Sequence, residues 1–190
     1  MRASLCELLP ELELIGDASL REQVIAVWMA ALEESGWSMA DLSRMPFTLL
    51  VNPCPVSFVE HVRAVTLTAL AAARVFEEIY GARVPVDVDV LVAGGLLHDI
   101  GKLAEYEPLG DDGARQSSVG AFLRHPFLGV ALAARFGLPM AVQHLIATHG
   151  VEGDRVPRSI EATLIHHADF MHFHAVQRLQ ASAVPSARMG

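Results

Sequence analysis

A chain of 190 residues, 52% of them hydrophobic, can bury one substantial core and leaves little room for a second independent domain. Its 14 basic and 22 acidic residues give a net charge of -8, the wrong sign for life on nucleic-acid backbone or an anionic membrane, although a local basic pocket stays compatible with it. Cys6 and Cys54 are too few for a disulfide framework, and Glu7, Glu11, Glu13 and Asp17 interrupt any secretory signal, so a soluble cytoplasmic protein is expected.

Apolar residues recur at helical spacing nearly throughout, which predicts an all-α chain: a single compact helical bundle over residues 53–181, a helical extension over 1–52 and a frayed tail over 182–190. Ser19 with Glu22 forms a candidate capping box for a helix whose stripe of Leu20, Val24, Val27, Trp28, Ala31 and Leu32 ends near Gly36. That stripe either caps the core or makes a homodimer contact. A shorter helix is expected from Ser38 to Met45. Asn52-Pro53-Cys54-Pro55 reads as a linker, because proline lacks an amide hydrogen and biases its predecessor towards extended backbone.

Ser57 with Glu60 offers a second capping box, opening an Ala-rich helix from Phe58 to Tyr80 that Gly81 should close. His61 falls in its first turn. Asp87 or Asp89 can cap the next helix, whose apolar run is too short to span a bilayer; it is expected to continue to about Lys102 and to carry His98 and Asp99 near its end. Residues 104–119 read as a long surface loop without a strand pattern. Pro126 suits the first position of a helix that has His125 as its cap and ends at Gly137, and Pro139 opens another that ends near His149. After a polar loop, a final helix from about Ser159 to Gln180 carries His166, His167, Asp169, His172 and His174.

Nine histidines against two tyrosines and two tryptophans is a bias, and most fall at helix ends, where side chains from different helices converge. The pair His98-Asp99 is more informative than any single histidine. It closes the apolar run Leu91-Val92-Ala93-Gly94-Gly95-Leu96-Leu97, and a carboxylate and an imidazole entering a core need a metal, a hydrogen bond or an opposite charge. The plain alternative is a surface ion pair between Asp99 and Lys102.

Gly95-Leu96-Leu97-His98-Asp99-Ile100-Gly101-Lys102 resembles the signature of the HD-domain superfamily of metal-dependent phosphohydrolases. The rest of that family's order follows: His61 upstream, then His125-Pro126 and His149, then Ala168-Asp169. The resemblance covers roughly residues 57–175 and implies that His61, His98, Asp99 and Asp169 bind one divalent metal. It further implies that Asp99 bridges to a second ion held by His125 and His149. Imidazole with carboxylate suits transition metals, iron or manganese first, with nickel, cobalt and zinc also compatible. Thr148-His149-Gly150 departs from the double histidine of several phosphodiesterase relatives, and the Gly-Tyr-Pro extension of cyclic-dinucleotide phosphodiesterases is missing.

The chemistry implied is hydrolysis of a small phosphomonoester or phosphodiester, a nucleotide being one candidate, by metal-activated hydroxide, with Asp99 and Lys102 as catalytic residues and Lys102, Arg124 and Arg158 on the substrate. Arg155 is a further candidate to hold the phosphate, and the stretch Glu105-Tyr106-Glu107 with the loop after it is expected to form one wall of the pocket. His166 is expected to support Asp169 from behind, and His167, His172 and His174 to be structural or solvated. The same ligand order also resembles the mixed-valence di-iron oxygenases of the superfamily, which act on vicinal diols or hydroxyphosphonates. A non-catalytic HD domain would be expected to have lost ligands, and this sequence keeps them all.

Overall fold

The computed structural model describes residues 2–110 and 113–183. In chain order the helices are α1 (Arg2–Leu8), α2 (Ala18–Glu34), α3 (Phe58–Tyr80), α4 (Val88–Leu97), α5 (Lys102–Glu105), α6 (His125–Arg135), α7 (Met140–Thr148) and α8 (Ile160–Ala183). Short 3-10 turns occupy Pro10–Leu14, Asp41–Ser43, Gly81–Arg83 and Val151–Gly153. The fold is all-α, with one small hairpin.

α4 is the central post. Every side chain from Val90 to Leu97 is buried, and α2, α3, α7 and α8 all pack against it. Each fully buried Leu or Val there contributes roughly 1.5–3 kcal/mol relative to exposure. Gly94 and Gly95 let the neighbours come close: a Cβ on Gly94 would overlap the Leu145 side chain, and one on Gly95 would sit 2.7 Å from Thr66 Oγ1. α3 begins as expected, with both halves of the Ser57–Glu60 capping box formed, and ends at Gly81.

The N-terminal extension shares this core. Leu20, Val24, Val27 and Trp28 are all buried, and Trp28 Nε1 donates to Leu96 O at 3.1 Å, so the α2 stripe is consumed within the chain rather than offered to a second copy. Asp89 does not cap α4. Its carboxylate accepts the backbone amides of Gly16 and Asp17 at 2.7 and 2.8 Å, while Asp87 caps the helix through Val90 N. Arg63 on α3 likewise holds the buried Glu11 with both carboxylate oxygens engaged.

Several expectations need correction. Asp17, not Ser19, caps α2, because its side chain reaches Ser19 N and Leu20 N, and Glu22 pairs with Arg2 instead. The helix expected over Ser38–Met45 shrinks to one 3-10 turn. α4 stops at Leu97, and the chain turns through 98–101 before α5. The loop expected at 104–119 contains an antiparallel hairpin, β1 (Tyr106–Pro108) against β2 (Ala114–Gln116), in register Tyr106↔Gln116. Three-residue strands carry no readable period. Arg124, not His125, occupies the N-cap position of α6 and makes no side-chain cap bond; His125 is the first helical residue, and Glu105 accepts its amide. α8 runs to Ala183, and the remainder of the tail expected from 182 lies outside the described residues. Among the described residues no helix is long and apolar enough to cross a membrane.

The turn after α4 depends on Gly101. A Cβ there would collide with His125 O and lie 2.7 Å from Gly129 N, so only glycine lets α6 start this close. Gly101→Ala is therefore expected to destabilise the fold by roughly 3 kcal/mol or more. An unchanged midpoint in urea unfolding would contradict that.

Candidate metal centre

Five separate elements bring six side chains to one point beneath a cavity. His61 comes from the first turn of α3, His98 and Asp99 from the turn ending α4, His125 from the first turn of α6, His149 from the end of α7 and Asp169 from the middle of α8. His61, His98, Asp99 and His149 are at most 1% exposed. Two sets of donors converge, His61 with His98 and Asp99, and Asp99 with His125 and His149; Asp99 is common to both. Asp169 Oδ1 joins the first set, 3.0 Å from His61 Nε2.

The imidazole tautomers follow from what the other ring nitrogen touches. His98 Nδ1 donates to Gly95 O at 2.7 Å and His149 Nδ1 to Ile146 O at 2.8 Å. A carbonyl oxygen can only accept, so each ring presents the bare lone pair of Nε2 to the centre. His125 Nδ1 donates to the Glu105 carboxylate at 2.6 Å, leaving its Nε2 only 3.2 Å from His149 Nε2. Two lone pairs facing each other repel unless a cation or proton lies between them.

The spacing suits a cation. Two donors about 2.1 Å from one metal, at tetrahedral or octahedral angles, lie about 3.0–3.4 Å apart. Asp99 Oδ2 is 3.4 Å from both His61 Nε2 and His98 Nε2, and Asp99 Oδ1 is 3.2 Å from His125 Nε2 and 3.5 Å from His149 Nε2. His61 Nε2, His98 Nε2 and Asp99 Oδ1 are all fully buried without an aligned hydrogen bond. Buried polar atoms are rarely left so, and three aimed at one point fit a metal centre.

Lys102 has a task other than the free substrate cation expected of it. Its Nζ donates to Asp99 Oδ2 at 2.6 Å and to Phe47 O at 2.7 Å, and the residue is buried. The Asp99–Lys102 pair anticipated as a surface contact is thus present, but inside the protein. Burial alone would raise the Asp99 carboxyl; the Lys102 ammonium and the surrounding imidazoles instead hold it well below the usual carboxylate range. Burial would likewise lower Lys102, and Asp99 overrides it upwards.

A cavity of about 370 Å³ opens over this floor, lined there by Lys102, Glu105, His125, His149 and Asp169. Arg124 stands at its rim, donating to Glu105 Oε1 at 2.9 Å and to Glu152 Oε1 at 3.2 Å. Arg158 does not reach it: its guanidinium is turned onto Thr148 O, Gly150 O and Asp154, which holds the backbone that follows α7 and corrects the expectation of a substrate contact. Arg155 is exposed. His166 supports His149 rather than Asp169, its Nδ1 donating to His149 O at 2.6 Å. His172 bonds Thr68 Oγ1 at 2.9 Å, and His167 and His174 are exposed.

Glu105 and Tyr106 line the cavity, as expected of that stretch, but two roles escaped the sequence reading. Glu105 is 1% exposed and grips His125 twice, accepting from Nδ1 and from the backbone amide. Phe47 stacks on His61, with centroids 4.2 Å apart and planes at 20°. An acidic residue just past the His-Asp pair was the available signal for the first; nothing in the sequence linked Phe47 to the site.

Comparison with known proteins agrees with this picture. The model of the HD domain family matches residues 58–173. Over 112 residues, 58% of this chain and 44% of the relative, the chain is 39% identical to the dihydroneopterin 2',3'-cyclic phosphate phosphodiesterase of Methanocaldococcus jannaschii. Over 91 residues it is 35% identical to the ribonuclease Y of Desulforamulus reducens, covering 48% of this chain and 15% of that one. The chain therefore spans less than half the length of these curated relatives. No solved structure gives a significant match. Both names denote phosphodiester cleavage, and the oxygenase alternative gains no support from them.

Because Glu105 orients His125 and raises its basicity, Glu105→Gln should weaken divalent-metal binding by about 10- to 100-fold while leaving the helical spectrum unchanged. Competition titration with a chromogenic chelator measures this; wild-type affinity would refute the link.

Proposed function

Because the chain belongs to the HD-domain family, we propose that it is a cytoplasmic metal-dependent phosphohydrolase acting on a small phosphodiester. The observation that carries this reading is the convergence of two donor groups on a shared Asp99 at the floor of a cavity of small-molecule size. His61, His98, Asp99 and Asp169 would hold one divalent ion, and Asp99, His125 and His149 a second, with iron or manganese the preferred occupants. Ions bound there supply Lewis acidity and bring the ionisation of water near neutral pH.

The chain's own groups divide the remaining work. Lys102 and the Phe47 carbonyl fix the Asp99 carboxylate between the two histidine sets. Glu105 and the carbonyls of Gly95 and Ile146 set the ring orientations in advance, so little reorganisation is needed when substrate arrives. Arg124, which lines the cavity, would donate to a phosphate oxygen.

The cavity is lined by Lys102 and Arg124 against Glu105, Glu152 and Asp169, and both cations are already paired with carboxylates, so the bound ions would supply most of the attraction for a phosphate group. The phosphodiesterase name of the archaeal relative supports a diester as the substrate.

Protein loaded with manganese or iron should hydrolyse bis(4-nitrophenyl) phosphate and lose that activity in EDTA. His98→Ala and Asp169→Asn should each cut turnover by about 100-fold or more and lower bound metal, whereas His172→Ala should stay within about twofold. Released 4-nitrophenolate, elemental analysis and circular dichroism on the same samples check this. Full turnover in folded Asp169→Asn, or oxygen uptake by the iron form with a vicinal diol, would overturn the reading.

A further inference from the structure

The cavity has two unlike halves. Its floor is the donor cluster with Lys102 and Glu105, while much of the opposite wall is apolar: Phe47, Leu49 and Leu50 from the segment before α3, and Phe170 and Phe173 from α8. Phe47, Leu49 and Leu50 precede the region that the family model matches, residues 58–173. The wall therefore joins a part from outside the matched region, Phe47, Leu49 and Leu50, to a part within it, Phe170 and Phe173.

The segment is built to hold that position. An isolated bridge pairs Pro46 with Ser57, Phe58 N donates to Met45 O at 2.7 Å, and Phe47 N to Val56 O at 3.4 Å, so the loop is clamped at its base. Phe47 itself is 1% exposed, wedged between the His61 ring and the edge of Phe173, 6.5 Å away at 79°. Its carbonyl is tied to Lys102. The next residues are freer: Leu49 is half-buried and Leu50 is 73% exposed, and both line the cavity, where a bound organic group would cover them.

We propose that Phe47, Leu49 and Leu50, together with Phe170 and Phe173, form a subsite for an apolar or aromatic group carried by the phosphodiester, and that this wall sets the substrate preference. The proposal rests on the phosphohydrolase reading for which part of the ligand is the phosphorus group, and it names the chemistry of the other part. The residues act on binding of the organic group. They touch no reacting atom, so they are specificity residues rather than catalytic ones.

Phosphinates test this without turnover, because both of their organic groups are held by P–C bonds while the single negative charge of a diester is kept. Methyl(phenyl)phosphinate and dimethylphosphinate are titrated calorimetrically into the metal-loaded protein. The phenyl compound should bind about tenfold more tightly, as one buried apolar face gives. In Leu49→Ser/Leu50→Ser that preference should fall to within about twofold while dimethylphosphinate affinity is unchanged; Phe173→Ala, from the other side of the wall, should reduce it independently. Equal affinity of the two compounds for wild type, binding of neither, or a preference that survives both variants overturns the subsite. Turnover of bis(4-nitrophenyl) phosphate is read separately: a protein that keeps the phenyl preference yet hydrolyses no diester sinks the phosphohydrolase reading and leaves the subsite standing.

Discussion

The structure depends on one buried carboxylate. Asp99 sits at 1% exposure, where an unpaired charge would cost several kcal/mol, and it stays ionised because Lys102 lies 2.6 Å away and imidazoles face both of its oxygens. With each oxygen turned towards a different pair of histidines, this residue makes two donor groups into one centre. The placement of α3, α6, α7 and α8 can be understood as the requirement that their ends meet there.

The surrounding fold supplies rigidity to match. α4 is apolar on all sides and enclosed by four helices, so its last turn delivers His98 and Asp99 from a fixed post. Glycines at 94, 95 and 101 permit the close approaches that a methyl group would block. Behind each histidine of the second set stands a hydrogen-bond partner: Glu105 for His125, Ile146 O for His149, and His166 on the His149 carbonyl. Metal sites owe much of their affinity to such partners, because they fix the tautomer and the ring plane before any ion arrives.

The N-terminal extension is part of this machinery rather than an appendage. It contributes Trp28 to the packing against α4, Glu11 to an ion pair with Arg63, and the Phe47 carbonyl to the ammonium that restrains Asp99. One end of the chain thus reaches the centre of the matched region through three kinds of contact. A Phe ring stacked on His61 also keeps water from that side of the imidazole.

The sequence by itself determined the elements whose causes are local. Helical periodicity, the Ser57–Glu60 capping box and Gly81 set α3 almost to the residue, and the order of His61, His98-Asp99, His125, His149 and Asp169 indicated which side chains to look for. What depended on partners distant in the chain was illegible. Asp89 is spent on Gly16 and Asp17, the second bond of Lys102 on the Phe47 carbonyl, and Arg158 on the carbonyls after α7, and each of these bonds was invisible to the local pattern. Local signals act within one or two helical turns, so they specify where a helix begins and which face is apolar. A buried cation or carboxylate answers to whichever opposite charge the packed helices bring within hydrogen-bond reach, and only the tertiary structure decides that.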